Sequence, residues 1–214
     1  MIDVIVRASN IGRVKIEQKL GPDEFANSLR KYGQFSQLSV EGLQTAEPLV
    51  PARWNELSAM TVSYGHGLAT TPLQAGLVMA AMANGGYLVQ PTIFKIDAKE
   101  VVRQPIMSEA TSAFMRSAMQ KNMVKGTGTS LNYPNIKIGG LSGTANKSLN
   151  GKYDEDKVVT QFAAVFPIDK PKYLVFTTLD EPQPLNETHG FQTSGWNAAP
   201  LAGKIIKEAM VGYY

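Results

Sequence analysis

Two apolar stretches near the end of the chain, residues 158–166 and 173–179, constrain the fold more than any other feature. Each carries apolar residues at successive positions, so a strand built from either has two faces to bury. The link between them, residues 167–172, is short and contains proline, which suits antiparallel neighbours. A third strand is expected over residues 136–144, with Gly139, Gly140 and small side chains. Residues 147–157 are polar, and Asn150-Gly151 is the expected turn. Residues 200–210 read as a closing helix with Leu201, Ile205 and Ala209 on one stripe.

The upstream part reads differently. Residues 1–10 look extended and then turn. Residues 14–20 and 22–32 form two short helices divided by Gly21, the second with Phe25, Leu29 and Tyr32 on one face. Residues 33–51, which include Pro48 and Pro51, have little periodicity and read as surface loop. Thr71 caps a helix that has Pro72 at its first position and ends at Asn84-Gly85-Gly86. Its apolar stripe is Leu73, Leu77, Ala80 and Ala81. Ser108 caps another helix, with Phe114, Met115, Ala118 and Met119 facing inward. A helical region followed by three strands and a packed helix is an α+β pattern. It fits one domain over residues 1–214, with a mainly helical lobe at 1–131 and the strands and closing helix at 132–214.

With 43% hydrophobic and 18% charged residues, the chain has a globular composition. A net charge of +3, from scattered basic residues, gives no basis for a nucleic-acid partner. The absence of Cys excludes thiolate catalysis, and His66 and His189 are too few for a His-based metal cluster. No metal or organic cofactor is expected. No apolar run reaches membrane-spanning length, and the opening residues lack an export signal.

Three motifs carry possible chemistry. Gly65-His66-Gly67 lacks the third glycine and the preceding strand of a phosphate loop, and reads as a turn with a structural imidazole. Ser28 and Lys31 formally match a Ser-x-x-Lys nucleophile pair, in which the lysine takes the proton from the attacking hydroxyl. With 13 serines and 15 lysines in the chain, about one such match arises by chance. Both residues also fall on the polar side of an amphipathic helix. Leu141-Ser142-Gly143-Thr144 matters more. A strand stripped of side chains lets a ligand backbone lie against it, and its free N–H can face a developing oxyanion. A glycine-weakened edge strand accounts for the same composition equally well.

Residues 60–74 (MTVSYGHGLATTPLQ), residues 138–146 (IGGLSGTAN) and Trp196-Asn197-Ala198-Ala199-Pro200 together resemble the C-terminal part of a class B penicillin-binding protein. The likeness is to the division-specific D,D-transpeptidases that cross-link septal peptidoglycan, in the alphaproteobacterial style of Leu179-Asp180-Glu181-Pro182. It implies part of the penicillin-recognising serine transferase fold, an antiparallel sheet packed by helices beside a helical lobe. It also implies acyl transfer from a stem peptide ending in D-Ala-D-Ala, which a β-lactam mimics. The family's catalytic domain sits in the periplasm behind an N-terminal membrane anchor.

The family's motifs are Ser-x-x-Lys, Ser-x-Asn and Lys-Thr-Gly, in that order. Ala8-Ser9-Asn10 matches the second, with Ala8 in place of the hydroxyl residue. Ser28 follows this motif instead of preceding it, so Ser28 and Lys31 are not the family's nucleophile pair. The nucleophile segment is expected upstream of Met1. Leu141-Ser142-Gly143-Thr144 matches the third motif, with Leu141 in place of the cation.

In the family those two replaced side chains share a hydrogen bond across the cleft. Losing one alone leaves a polar group unpaired, at about 1–3 kcal/mol; losing both avoids that cost. The resemblance leaves Asn10 for the substrate amide, the Ser142 and Thr144 hydroxyls for its carboxylate, and Gly143 for close approach. It makes the Thr144 N–H one half of an oxyanion hole. The expectation is a non-acylating part of a transpeptidase, set against a scaffold module that binds division proteins through the same fold. A hydrolase using Ser28 is the third reading. Strand 173–179, which is internal in the family, becomes an apolar edge here, guarded by Lys170 and Lys172. It invites pairing with a second copy, with the N-terminal residues or with a complementary fragment.

Overall fold

A computed structural model describes residues 1–149 and 152–211. In chain order the elements are helices α1 (Ile2–Val6), α2 (Asn10–Leu20), α3 (Pro22–Lys31), α4 (Glu56–Ser63) and α5 (Pro72–Ala83), and strands β1 (Tyr87–Val89) and β2 (Arg103–Pro105). Helix α6 (Glu109–Lys125), strands β3 (Gly139–Leu149), β4 (Lys152–Phe166) and β5 (Tyr173–Asp180), and helix α7 (Ala198–Val211) follow. The chain divides into two compact units, one of Met1–Ala8 with Arg116–Tyr214 and one of Ser9–Met115.

The Ser9–Met115 unit is built on capped helices. Ser9 accepts from the Gly12 N–H and starts α2 four residues earlier than the apolar pattern suggests. Asn55 and Ser58 form a reciprocal capping box on α4, a helix the sequence reading passes over. Thr71 and Gln74 do the same on α5, which has Pro72 in its first turn. The buried face of α5 departs from the expected stripe, since Leu73 is 41% exposed while Gln74 is buried. Gln74 donates to the Gly33 and Ser36 carbonyls at 3.0 and 2.9 Å, so the loop after α3 is held by an amide and not by leucine packing. Residues 33–51 contain neither helix nor strand, as expected, apart from isolated bridges. Gly65 and Gly67 have φ of 103° and 80°, and His66 sits edge-on to Tyr64 with ring centroids 5.3 Å apart. That is a turn, not a phosphate loop.

The other unit carries the three-stranded sheet, in the order β3-β4-β5 and antiparallel throughout. The strands run further into the polar segment than expected, to Leu149 and from Lys152; the Asn150-Gly151 turn lies outside the described residues. Phe162, Ala164 and Phe166 of β4 pack in one buried cluster with Ala198, Ala199, Ala202 and Ile206 of α7. The buried stripe of α7 is therefore rotated from the predicted one. Ile205 is 42% exposed and Ala209 is exposed, because alanines let the helix lie close to the sheet. On the other face Ala163 and Val165 are also buried, which makes β4 the central strand. The first residues form α1 instead of an extended segment, with Val6 buried at its end.

Candidate functional site

The hydrogen-bond alternation of the sheet decides which main-chain groups remain for a ligand. Glu181 donates its N–H to the Val158 carbonyl at 2.9 Å, one hydrogen-bonded pair beyond the end of β5. Alternation then turns the even-numbered groups of β4 toward β5 and the odd-numbered ones toward β3. The β3 partners of the odd-numbered groups are Gly139, Leu141, Gly143 and Ala145. Consequently the amides and carbonyls of Gly140, Ser142 and Thr144 face away from the sheet. The Asn122 side chain confirms this parity by donating to the Gly140 carbonyl at 2.9 Å.

Side chains follow the same period of two. Ser142 and Thr144 pair with Phe162 and Thr160 and lie on the α7 face. Leu141 pairs with Ala163 and points to the opposite face, half-buried. A Cβ at Gly143 would meet nothing within 4 Å, whereas one at Gly140 would lie 2.4 Å from the Ala163 carbonyl oxygen. Gly140 serves packing. Gly143 leaves open space.

A polar framework holds this edge. Asn122, 1% exposed, accepts the Thr127 N–H at 3.0 Å through Oδ1 while its Nδ2 holds Gly140. Thr127 Oγ1 lies 2.6 Å from Ser142 Oγ. Thr144 Oγ1 accepts the Ser194 N–H at 3.1 Å, which leaves the Thr144 hydroxyl proton for a further acceptor. Ser194 is fixed in turn by donating to the Gln161 carbonyl at 2.6 Å. Asn197, at the start of α7, accepts from Thr160 Oγ1 at 2.9 Å and donates to the Gln192 carbonyl at 2.9 Å.

Beside this edge lies a cavity of about 850 Å³ lined by hydroxyls of Thr127, Ser142, Thr144 and Ser194, with Trp196 and Lys204 among its walls. Trp196 stacks on Phe191 at 5.4 Å, forming a firm aromatic side. The Thr144 hydroxyl proton and the Lys204 ammonium are donors that a carboxylate or amide carbonyl can use. Lys147, three residues beyond Thr144, is not among the residues that line the cavity. Its ammonium lies 2.9 Å from both Glu181 and Asp180, and these hydrogen bonds raise its pKa. Among the described residues, no three His, Cys, Asp or Glu gather as metal ligands, and no helix is long and apolar enough to cross a membrane.

The sequence-predicted residues divide between the two units. Ser142 and Thr144 come together on the cavity side of β3, while Gly143 between them falls on the opposite face with Leu141. Ala8 belongs to the same unit and holds a left-handed conformation, φ 49°. The Val6 carbonyl, two residues earlier, lies 2.9 Å from where a Gly126 Cβ would be, beside the Thr127 turn. Asn10 is exposed in the first turn of α2, in the other unit. Ser28 is half-buried and Lys31 exposed on α3, and no hydrogen bond joins them. Sequence reasoning missed Asn122, Thr127, Ser194 and Asn197. For Asn122 a signal existed: it falls at an inward position between Met119 and Met123, where a polar residue must find buried partners.

The chain matches the penicillin binding protein transpeptidase domain over residues 1–207. It is 33% identical over 217 aligned residues to the probable peptidoglycan D,D-transpeptidase FtsI of Caulobacter vibrioides, covering 97% of this chain and 37% of that protein. Among solved structures it is similar to the transpeptidase domain of Burkholderia pseudomallei penicillin-binding protein 3. The TM-score there is 0.86 at 27% identity, over 98% of this chain and 63% of that one. It is also similar to penicillin-binding protein 3 of Mycobacterium tuberculosis complexed with ampicillin, with TM-score 0.85 and 25% identity, over 100% and 51% of the two chains. The chain thus spans little more than a third of the curated relative it matches.

Proposed function

Because this chain belongs to the penicillin-binding protein transpeptidase domain family, we propose that it forms the carboxylate- and carbonyl-binding part of a peptidoglycan D,D-transpeptidase domain and does not itself acylate. The observation that carries this reading is the outward edge of β3, where the Thr144 N–H and hydroxyl and the Ser142 hydroxyl meet the cavity. A stem peptide ending in D-Ala-D-Ala lays its backbone along this edge, close to Gly143. Its terminal carboxylate takes the Thr144 hydroxyl proton. The Thr144 N–H points at the carbonyl that the longer protein's nucleophile attacks, as one of two oxyanion donors. By motif, Asn10 is the candidate for binding the peptide amide.

Two replacements support loss of acylation in these residues. Leu141 removes the ammonium that steers a proton across the cleft, and Ala8 removes the hydroxyl that faces it. A β-lactam, a donor mimic, then binds reversibly. Ampicillin in the Mycobacterium tuberculosis relative supports the ligand class. The longer protein of which such a domain is part works on septal wall, on the periplasmic side of the membrane.

Incubation with a fluorescent penicillin, followed by denaturing electrophoresis and intact mass, tests the proposal. No covalent label is expected, nor any on the Ala8→Ser/Leu141→Lys double variant, since neither carries an activated serine. A stoichiometric adduct, on Ser28 or elsewhere, contradicts it.

A further inference from the structure

Given a peptide carboxylate bound at Thr144, as proposed for this site, we infer that Lys204 of α7 is the cation that meets it. The cavity then selects a free C-terminal acid over its neutral amide. Among the described residues Lys204 is the one basic side chain in the cavity wall and Glu187 the one acidic side chain, and no ion pair joins them. Nearby cations are engaged elsewhere: Lys147 lies 2.9 Å from Asp180 and Glu181, and Lys207 lies over the Tyr133 ring at 4.5 Å. Leu141 on β3 carries no charge. The Ser142 and Thr144 hydroxyls are neutral donors, and a hydrogen bond from an ammonium to a carboxylate is roughly twice as strong as one between neutral groups.

The helix fixes where that ammonium stands. Asn197, Pro200, Leu201 and Lys204 recur at helical spacing and form the stripe of α7 that faces the cavity. The opposite stripe is locked, since Ala198, Ala199, Ala202 and Ile206 are fully buried in the cluster with Phe162 and Ala164. A Cβ at Gly203 would lie 2.5 Å from the Tyr133 hydroxyl. The helix therefore cannot turn Lys204 out of the wall. Lys204 stands about two turns beyond Asn197, about 10 Å along the axis. Helical side chains lean toward the helix N-terminus. The Lys204 stem thus runs back toward the end where Ser194 donates its N–H to Thr144 Oγ1 at 3.1 Å. That end also presents the positive pole of the α7 macrodipole. Glu187, between β5 and α7, opposes this field, so the two charges act on an anionic ligand with opposite sign.

The measurement is an amide NMR titration of the chain with N-acetyl-D-Ala-D-Ala and, separately, with its C-terminal amide. The parent is expected to bind the acid more tightly than the amide, with an affinity for the acid that falls as salt rises. Lys204→Gln, on an exposed side chain, weakens binding of the acid about tenfold and leaves binding of the amide unchanged. Lys204→Arg restores the preference, and Glu187→Gln tightens binding of the acid alone. A parent that binds neither peptide overturns both this inference and the proposed site. A parent that binds both without preference, or a preference that survives in Lys204→Gln, overturns this inference alone. So does an equal loss for acid and amide in that variant, which marks a structural role for Lys204.

Discussion

The Asn122 side chain donates to the Gly140 carbonyl at 2.9 Å and accepts the Thr127 N–H at 3.0 Å, so one buried amide locks the strand and the turn that flank the cavity. Thr127 passes the constraint to Ser142 through a 2.6 Å hydroxyl contact. The result is a strand whose outward groups are held at fixed positions before any ligand arrives, which is the condition for oxyanion-type recognition.

Asn122→Ala leaves the Gly140 carbonyl and the Thr127 N–H without that partner. The expected loss is about 2–3 kcal/mol, read from urea denaturation. Faster exchange of the Thr127 amide accompanies it. Asn122→Asp, which keeps the acceptor and removes the donor, restores protection at Thr127 but not stability.

Gly140 and Gly143 separate packing from function. Gly140→Ala forces a Cβ to 2.4 Å from the Ala163 carbonyl oxygen and costs about 2–4 kcal/mol or more by overpacking. Gly143→Ala meets nothing within 4 Å, so stability stays within about 0.5 kcal/mol. Its methyl group projects on the Leu141 face of β3, beside the edge along which the proposed ligand backbone lies, and binding of a D-Ala-D-Ala peptide falls. Thermal denaturation and a peptide titration on the same two variants check both halves.

Much of this fold was legible because its signals are local. Thr71 and Pro72 announce α5, Ser108 caps α6, and the apolar runs give β4 and β5. What stayed hidden depends on what each element packs against. The buried faces of α5 and α7 are carried by Gln74 and by small alanines, which hydrophobic periodicity discounts. Leu73 and Ile205 supplied the periodic signal and proved exposed. In the candidate site, Ser142, Gly143 and Thr144 are contiguous in sequence and so legible as one motif. Asn122, Thr127, Ser194 and Asn197 join them only through tertiary hydrogen bonds.

Ala8 holds φ 49° without being glycine, at the position that the resemblance matches to the family's hydroxyl residue. Relieving that conformation by Ala8→Gly stabilises by up to about 1 kcal/mol, and Ala8→Val destabilises by more. Leu141→Lys alone lowers the melting temperature more than Ala8→Ser/Leu141→Lys, since the restored ammonium regains its hydroxyl partner only in the pair. Equal melting temperatures for the single and double variants show that the two positions do not meet.

Glu17 of α2 is 2% exposed, and among the described residues neither carboxylate oxygen has a hydrogen-bond partner. Burial, and then the charge of Glu56, hold its pKa above the usual carboxylate range. The folded state therefore keeps this proton to higher pH than the unfolded chain, and stability falls as pH rises from the ordinary glutamate pKa through the raised one. Glu17→Gln removes that fall and is more stable than the parent at neutral pH. Chemical denaturation at pH 4 and pH 7 checks the sign: the two proteins match at pH 4 and diverge at pH 7.

The most direct test is an amide NMR titration of the chain with an N-acylated D-Ala-D-Ala peptide. The account predicts shifts at the Ser142 and Thr144 amides, saturable, reversible on dilution and abolished by Gly143→Ala. Ser142 and Thr144 amides that stay unmoved at saturating peptide, or that move equally in the Gly143→Ala variant, contradict it.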